Sequence, residues 1–107
     1  MKPLSTEFSE KFVDGMKNRM EVSYYKYGPI KEAYPHKVDA IKSLELRLKK
    51  YKEDGNLEHL MDIANYAMIE FMLPAHPQAK FYATDDGGSP GRKWHGGGPA
   101  NKRKNSE

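Results

Sequence analysis

At 107 residues the chain has room for one domain, and Leu, Ile, Val and Phe together number only 18, with six Met and seven Tyr making up part of the apolar shortfall. The absence of cysteine excludes disulfides, thiol catalysis and cysteine-based zinc sites. No apolar run approaches the ~20 residues that span a bilayer, and no signal-peptide core follows Met1-Lys2-Pro3-Leu4, so a soluble intracellular protein with no membrane partner is expected.

The formal charge of +3 lies wholly in residues 75–107, which hold six Lys/Arg against three Asp/Glu, while residues 1–74 hold twelve of each. Six of the nine glycines also fall after Pro74. A segment so poor in apolar residues cannot bury enough surface to offset its ordering entropy. The expected organisation is a helical body over residues 1–74 and an irregular, Gly/Pro-rich basic tail over 75–107.

Three helices are predicted in the body. The first begins near Ser5-Thr6, where a hydroxyl can cap the opening turn. Phe8, Phe12, Met16 and Met20 recur every four residues beside Val13, which is a helical stripe. Gly15 weakens its middle, and Gly28-Pro29 stops it. The second covers residues 36–54: at about 100° per residue, Ile41, Leu44, Leu48 and Tyr51 share one face, with Lys42, Lys49 and Lys50 opposite. Asp54-Gly55 ends it. Asn56 can cap the third, residues 57–73, which Pro74 closes. A connection this short makes helices two and three an antiparallel hairpin.

The third helix differs in kind, because Leu57, Leu60, Met61, Ile63, Met68, Ile69, Phe71 and Met72 wrap almost around it. Such a helix is buried centrally or at a subunit interface. Two amphipathic partners can hardly cover it, so a homo-oligomer is expected through helices one and three, with Met61, Met68, Phe71 and Met72 as interface candidates. The fold class is all-α: a small three-helix bundle, or a helical hairpin plus an N-terminal helix. The one strand-like string, Lys80-Phe81-Tyr82-Ala83-Thr84, is short.

On that apolar cylinder Glu58, Asp62 and Asn65 form one polar stripe, spaced i, i+4, i+7. A buried carboxylate must be paired, hydrogen-bonded or bound to a metal. Two readings follow: a divalent-cation or nucleotide site held by these oxygens, or a structural ion pair in which a Lys or Arg of helix one neutralises Asp62.

The string Asp62-Ile63-Ala64-Asn65-Tyr66-Ala67 resembles the second acidic helix of the all-α nucleotide pyrophosphohydrolases (the MazG-like enzymes) and of phage nucleotide-modification-associated domains. That resemblance implies magnesium held by carboxylates from two antiparallel helices. Glu58 stands four residues before Asp62 where that pattern has three. Helix two lacks the matching E-E-x-x-E, its Asp39 and Glu45 being six residues apart. A broader resemblance joins Lys26-Tyr27-Gly28-Pro29, the run from Asp62 to Met72, Thr84-Asp85-Asp86 and Ser89-Pro90-Gly91-Arg92. These words, in this order, resemble a group of small bacteriophage-encoded proteins with no assigned activity. The resemblance implies a phage origin and the cytoplasm of a bacterial host.

In the tail, Asp85, Asp86, Ser89 and Arg92 sit in a turn-forming loop that either makes tight turns or places Arg92 against an anion. It is not a P-loop. Beyond it, Lys93, Trp94, Lys102, Arg103 and Lys104 suit electrostatic contact with nucleic acid with Trp94 stacking on a base, or a solubilising terminus. Ser23-Tyr24-Tyr25-Lys26-Tyr27 is a second place where aromatics flank a cation; its tyrosines either stack on bases or pack on the next helix. His36, His59, His76 and His95 lack metal-ligand spacing, and no nucleophile motif occurs.

Two function classes survive. The first is a small phage-type helical accessory protein that binds a host or phage protein, another copy of itself or nucleic acid, with no cofactor. The alternative is a divergent magnesium-dependent nucleotide pyrophosphohydrolase or nucleotide-binding protein built on Glu58 and Asp62.

Overall fold

Helix boundaries in the computed structural model, which describes residues 5–84, are set by single capping side chains. Ser9 Oγ accepts from the Phe12 amide at 3.0 Å and opens α1 (Glu10–Tyr27). Ile30–Glu32 then make one 3-10 turn. Asp39 Oδ1 accepts from the Lys42 amide at 3.1 Å and opens α2 (Ala40–Asp54). Gly55 closes α2 with a left-handed φ of 70°, a conformation glycine adopts without a side-chain penalty. Asn56 Oδ1 accepts from the Glu58 amide at 3.0 Å, and α3 (Glu58–Met72) follows.

The described chain is therefore all-helical, with the three helices that the apolar periodicity predicts. Two starts fall later than expected. The first helix begins after Ser9 and not at Ser5-Thr6, since the Ser9 hydroxyl reaches an orphan amide while Thr6 Oγ1 donates to the Glu7 carboxylate. Phe8 consequently lies outside the helix and is 51% exposed. The second begins after Asp39 and not at His36, a carboxylate being the stronger cap. Residues 80–84 form no strand.

Packing centres on α3, which lies against α2 across the short connection and against α1 on its other flank. The α1 contribution is a half-buried stripe of Phe12, Met16, Arg19, Met20 and Ser23. Gly15 has a packing role that its low helix propensity hides. A Cβ placed there would stand 2.5 Å from both Sδ and Cε of Met61, so the missing side chain lets Met61 lie directly on the α1 backbone.

The fully buried positions of α3 are His59, Asp62, Asn65 and Ile69, three polar residues and one apolar. Ala40 and Ile69, 2% and 3% exposed, are the fully buried hydrophobic side chains among the described residues. Apolar surface is left outside instead: Leu57 is 66%, Phe71 75% and Met72 55% exposed. No described helix is long and apolar enough to cross a membrane.

Candidate functional site

The buried polar face of α3 is held by cations from the other two helices. Arg19, in the middle of α1, donates from Nε to Asp62 Oδ1 at 2.9 Å and from Nη2 to Asp62 Oδ2 at 3.1 Å. This two-point match of guanidinium to carboxylate fixes orientation as well as distance. Arg19 Nη1 also reaches Glu58 Oε2 at 3.2 Å. The hydrogen bond with Asp62 holds the Arg19 guanidinium above its usual range; burial opposes this, and the charges of Asp62 and Glu58 add to it.

From α2, Arg47 Nη1 lies 3.5 Å from Asp62 Oδ2 and 3.4 Å from His59 Nδ1. The opposite ring nitrogen, His59 Nε2, lies 3.1 Å from Asp54 Oδ2. A neutral imidazole carrying its proton on Nε2 satisfies both contacts, accepting from Arg47 and donating to Asp54. A continuous chain of polar contacts thus runs Glu58–Arg19–Asp62–Arg47–His59–Asp54 and joins all three helices. Asn65, on the same face of α3, makes a separate tie to α1, donating from Nδ2 to the Met16 carbonyl at 3.0 Å.

This geometry bears directly on the acidic stripe. Glu58, Asp62 and Asn65 do share one face, and Asp62 has the partner from helix one that the structural alternative requires. Both Asp62 oxygens and one Glu58 oxygen are taken by guanidinium. Two arginines at one carboxylate make a poor donor set for a divalent cation, so these residues do not fit a magnesium centre. Among the described residues no three His, Cys, Asp or Glu side chains converge as a metal site.

Concave surfaces flank the network. One cleft of ≈ 310 Å³ has Arg19, Lys26, Arg47, Tyr27, Tyr34 and Tyr66 in its walls, beside Asp62 and Asn65. Burial pushes the Tyr34 hydroxyl above its usual range, and Tyr66 adds to the shift. A second, apolar groove of ≈ 810 Å³ runs beside the end of α3, lined by Ile41, Ala67, Phe71 and Phe81 with Asp39, Glu70, His76 and Lys80 among them. A third hollow, ≈ 550 Å³ and almost wholly apolar, lies across the same helix end between Met20, Tyr24, Ile30 and Met72.

The interface candidates separate. Phe71 and Met72 are exposed, whereas Met61 is half-buried against Gly15 within the chain and Met68 is half-buried. Met61 therefore makes an intrachain contact with α1. The tyrosine segment differs from its packing alternative: Tyr24, Tyr25 and Tyr27 are 55%, 79% and 77% exposed. The tail candidates Asp85, Asp86, Ser89, Arg92, Lys93, Trp94, Lys102, Arg103 and Lys104 lie outside the described residues.

Sequence reasoning did not single out Arg19 and Arg47. A usable signal was present: they are the two arginines among the twelve cations of residues 1–74. Arg19 falls on the inner stripe of α1, and Arg47 borders the apolar face of α2. Arginine suits partly buried, two-point recognition of a carboxylate, and lysine does not.

No family model matches this chain, and neither curated proteins nor solved structures give a match.

Proposed function

We propose that this chain is a small helical accessory protein, of the bacteriophage-encoded kind its sequence resembles, that acts in the cytoplasm of a bacterial host by binding and not by catalysis. The observation that carries this reading is the open end of α3. Phe71 is 75% exposed, Met72 is 55% exposed, and the groove beside Phe71 also takes in Ile41 and Phe81. Apolar side chains grouped in this way mark contact surfaces.

The partner assigned first is a second copy of the chain. Asp39 and Glu70 border the groove together with Lys80 and His76, so the face carries both signs of charge and can meet its own copy about a two-fold axis. Sedimentation equilibrium at tens of micromolar tests this. A dimer or larger species is expected for the wild type and a 12.3 kDa species for Phe71→Ser. A wild type sedimenting only as the 12.3 kDa species defeats the assignment.

Magnesium-dependent nucleotide hydrolysis by Glu58 and Asp62 would require Arg19 to release both carboxylates. A panel of nucleotides with magnesium, read by released phosphate or pyrophosphate, should give no turnover.

A further inference from the structure

The last turn of α1 projects aromatic rings that no other helix covers. Tyr24 is 55%, Tyr25 79% and Tyr27 77% exposed. The Tyr24 and Tyr25 rings meet edge-to-face, 5.6 Å apart at 82°, an arrangement that occupies at most one face of one ring and leaves the others open. Lys26 Nζ lies over one face of the Tyr27 ring, 5.9 Å from its centroid, and leaves the other face open. Lys26 and Tyr27 also form part of the cleft that contains Arg19, Arg47, Tyr34 and Tyr66. The charged lining of that cleft is three cations and one carboxylate, and the carboxylate, Asp62, is already held by Arg19.

We propose that this end of α1 binds single-stranded nucleic acid, with bases stacking on Tyr25 and Tyr27 and the backbone phosphates drawn to Lys26 and Arg47. Open ring faces alternating with cations are what an unpaired strand requires: every base has a π-face, and the backbone supplies the negative charge. A duplex keeps its bases stacked on one another and offers these tyrosines nothing. The surface is not strongly basic, because Glu21 and Glu32 also lie at this end of the helix. Stacking therefore carries more of the affinity than charge does, and the binding is indifferent to sequence. The stacking rings Tyr25 and Tyr27 do not line the groove beside Phe71 on which the assembly reading rests.

Fluorescence anisotropy of a labelled oligothymidylate of about twelve nucleotides, with the full chain, tests the proposal. Tyr25→Ser and Tyr27→Ser should each weaken binding about 5- to 150-fold, the usual loss on removing one stacked ring. Both positions are exposed, so helical circular dichroism should not change. Two phosphate contacts on a single strand give a slope of log affinity against log salt near −1.4, at about −0.7 per contact. Neutralising the tail with K102S/R103S/K104S should leave most of the affinity.

Four results would overturn the assignment. The first is no binding by the intact chain at low salt. The second is wild-type affinity in both tyrosine variants. The third is loss of binding on tail neutralisation alone, with a slope several times steeper in the wild type. The fourth is thymidine monophosphate binding as tightly as the oligonucleotide, which would make the cleft a pocket for a free nucleotide.

Discussion

Arg19 on α1 grips Asp62 on α3 through two hydrogen bonds of 2.9 and 3.1 Å, across 43 positions of the sequence. Asp62 is also the carboxylate that Arg47 approaches from α2 at 3.5 Å. One acidic side chain on the most apolar helix is thus the point where all three helices meet.

Removing that charge should loosen the bundle. Asp62→Asn is expected to cost about 1–3 kcal/mol in urea unfolding. The value stays below that of a fully buried pair because the Arg19 side chain is 34% exposed and can recover hydration. Millimolar magnesium should leave the wild-type melting temperature unchanged. A rise that disappears in Asp62→Asn would identify a metal ligand instead.

Gly15 and Met61 give a second test, of packing. On propensity alone Gly15→Ala should stabilise α1 by about 1 kcal/mol. Here the new methyl group must displace the Met61 thioether, so the expected net change is close to zero. Gly15→Val should destabilise by about 1–3 kcal/mol, and shortening Met61 to Ala in the same chain should recover part of that loss. If Gly15→Val and Met61→Ala add without coupling in urea titrations, the two residues do not share a contact.

Assembly and folding should respond to different parts of α3. Phe71→Ser and Met72→Lys change exposed side chains and should yield folded monomers, with helical circular dichroism intact and sedimentation altered. Met61→Lys places a charge between α1 and α3 and should lower the melting temperature by several degrees at any protein concentration. Equal behaviour of the three variants would place the assembly surface inside the bundle.

Acid should weaken the α2–α3 connection. The Asn56 amide at 2.8 Å, with His59 Nε2 at 3.1 Å, holds the Asp54 carboxyl below its usual 3.8. A carboxyl whose folded pKa is depressed contributes stability above its unfolded value and loses it as pH falls through the folded one. This contribution is therefore complete above about pH 3.8 and is lost as pH falls from there through the lower folded value. Hydrogen exchange at the Asn56 amide should quicken on acidification, relative to the centre of α2, in the wild type. In Asp54→Asn that extra acid sensitivity should be absent.

The helices and their punctuation are legible along the chain without reference to its fold. Gly28-Pro29, Asp54-Gly55 and Pro74 act through local backbone sterics, and the three apolar stripes act through the helical period, so no distant partner is needed to read them. The sequence also placed Glu58, Asp62 and Asn65 on one face, which spacing alone dictates. The later starts, after Ser9 and Asp39 instead of at Ser5-Thr6 and His36, rested on which side chain reaches an amide.

Which face of α3 turns inward is a matter of how the helices pack. Counting apolar residues put the greasy sides inside and left the polar stripe to be explained. The fold buries His59, Asp62 and Asn65 and exposes Phe71 and Met72. The reason is that a carboxylate can be buried once guanidinium groups reach it from both neighbouring helices. Whether Arg19 and Arg47 arrive at the same aspartate depends on how α1 and α2 lie against α3, and helical periodicity carries no information about that.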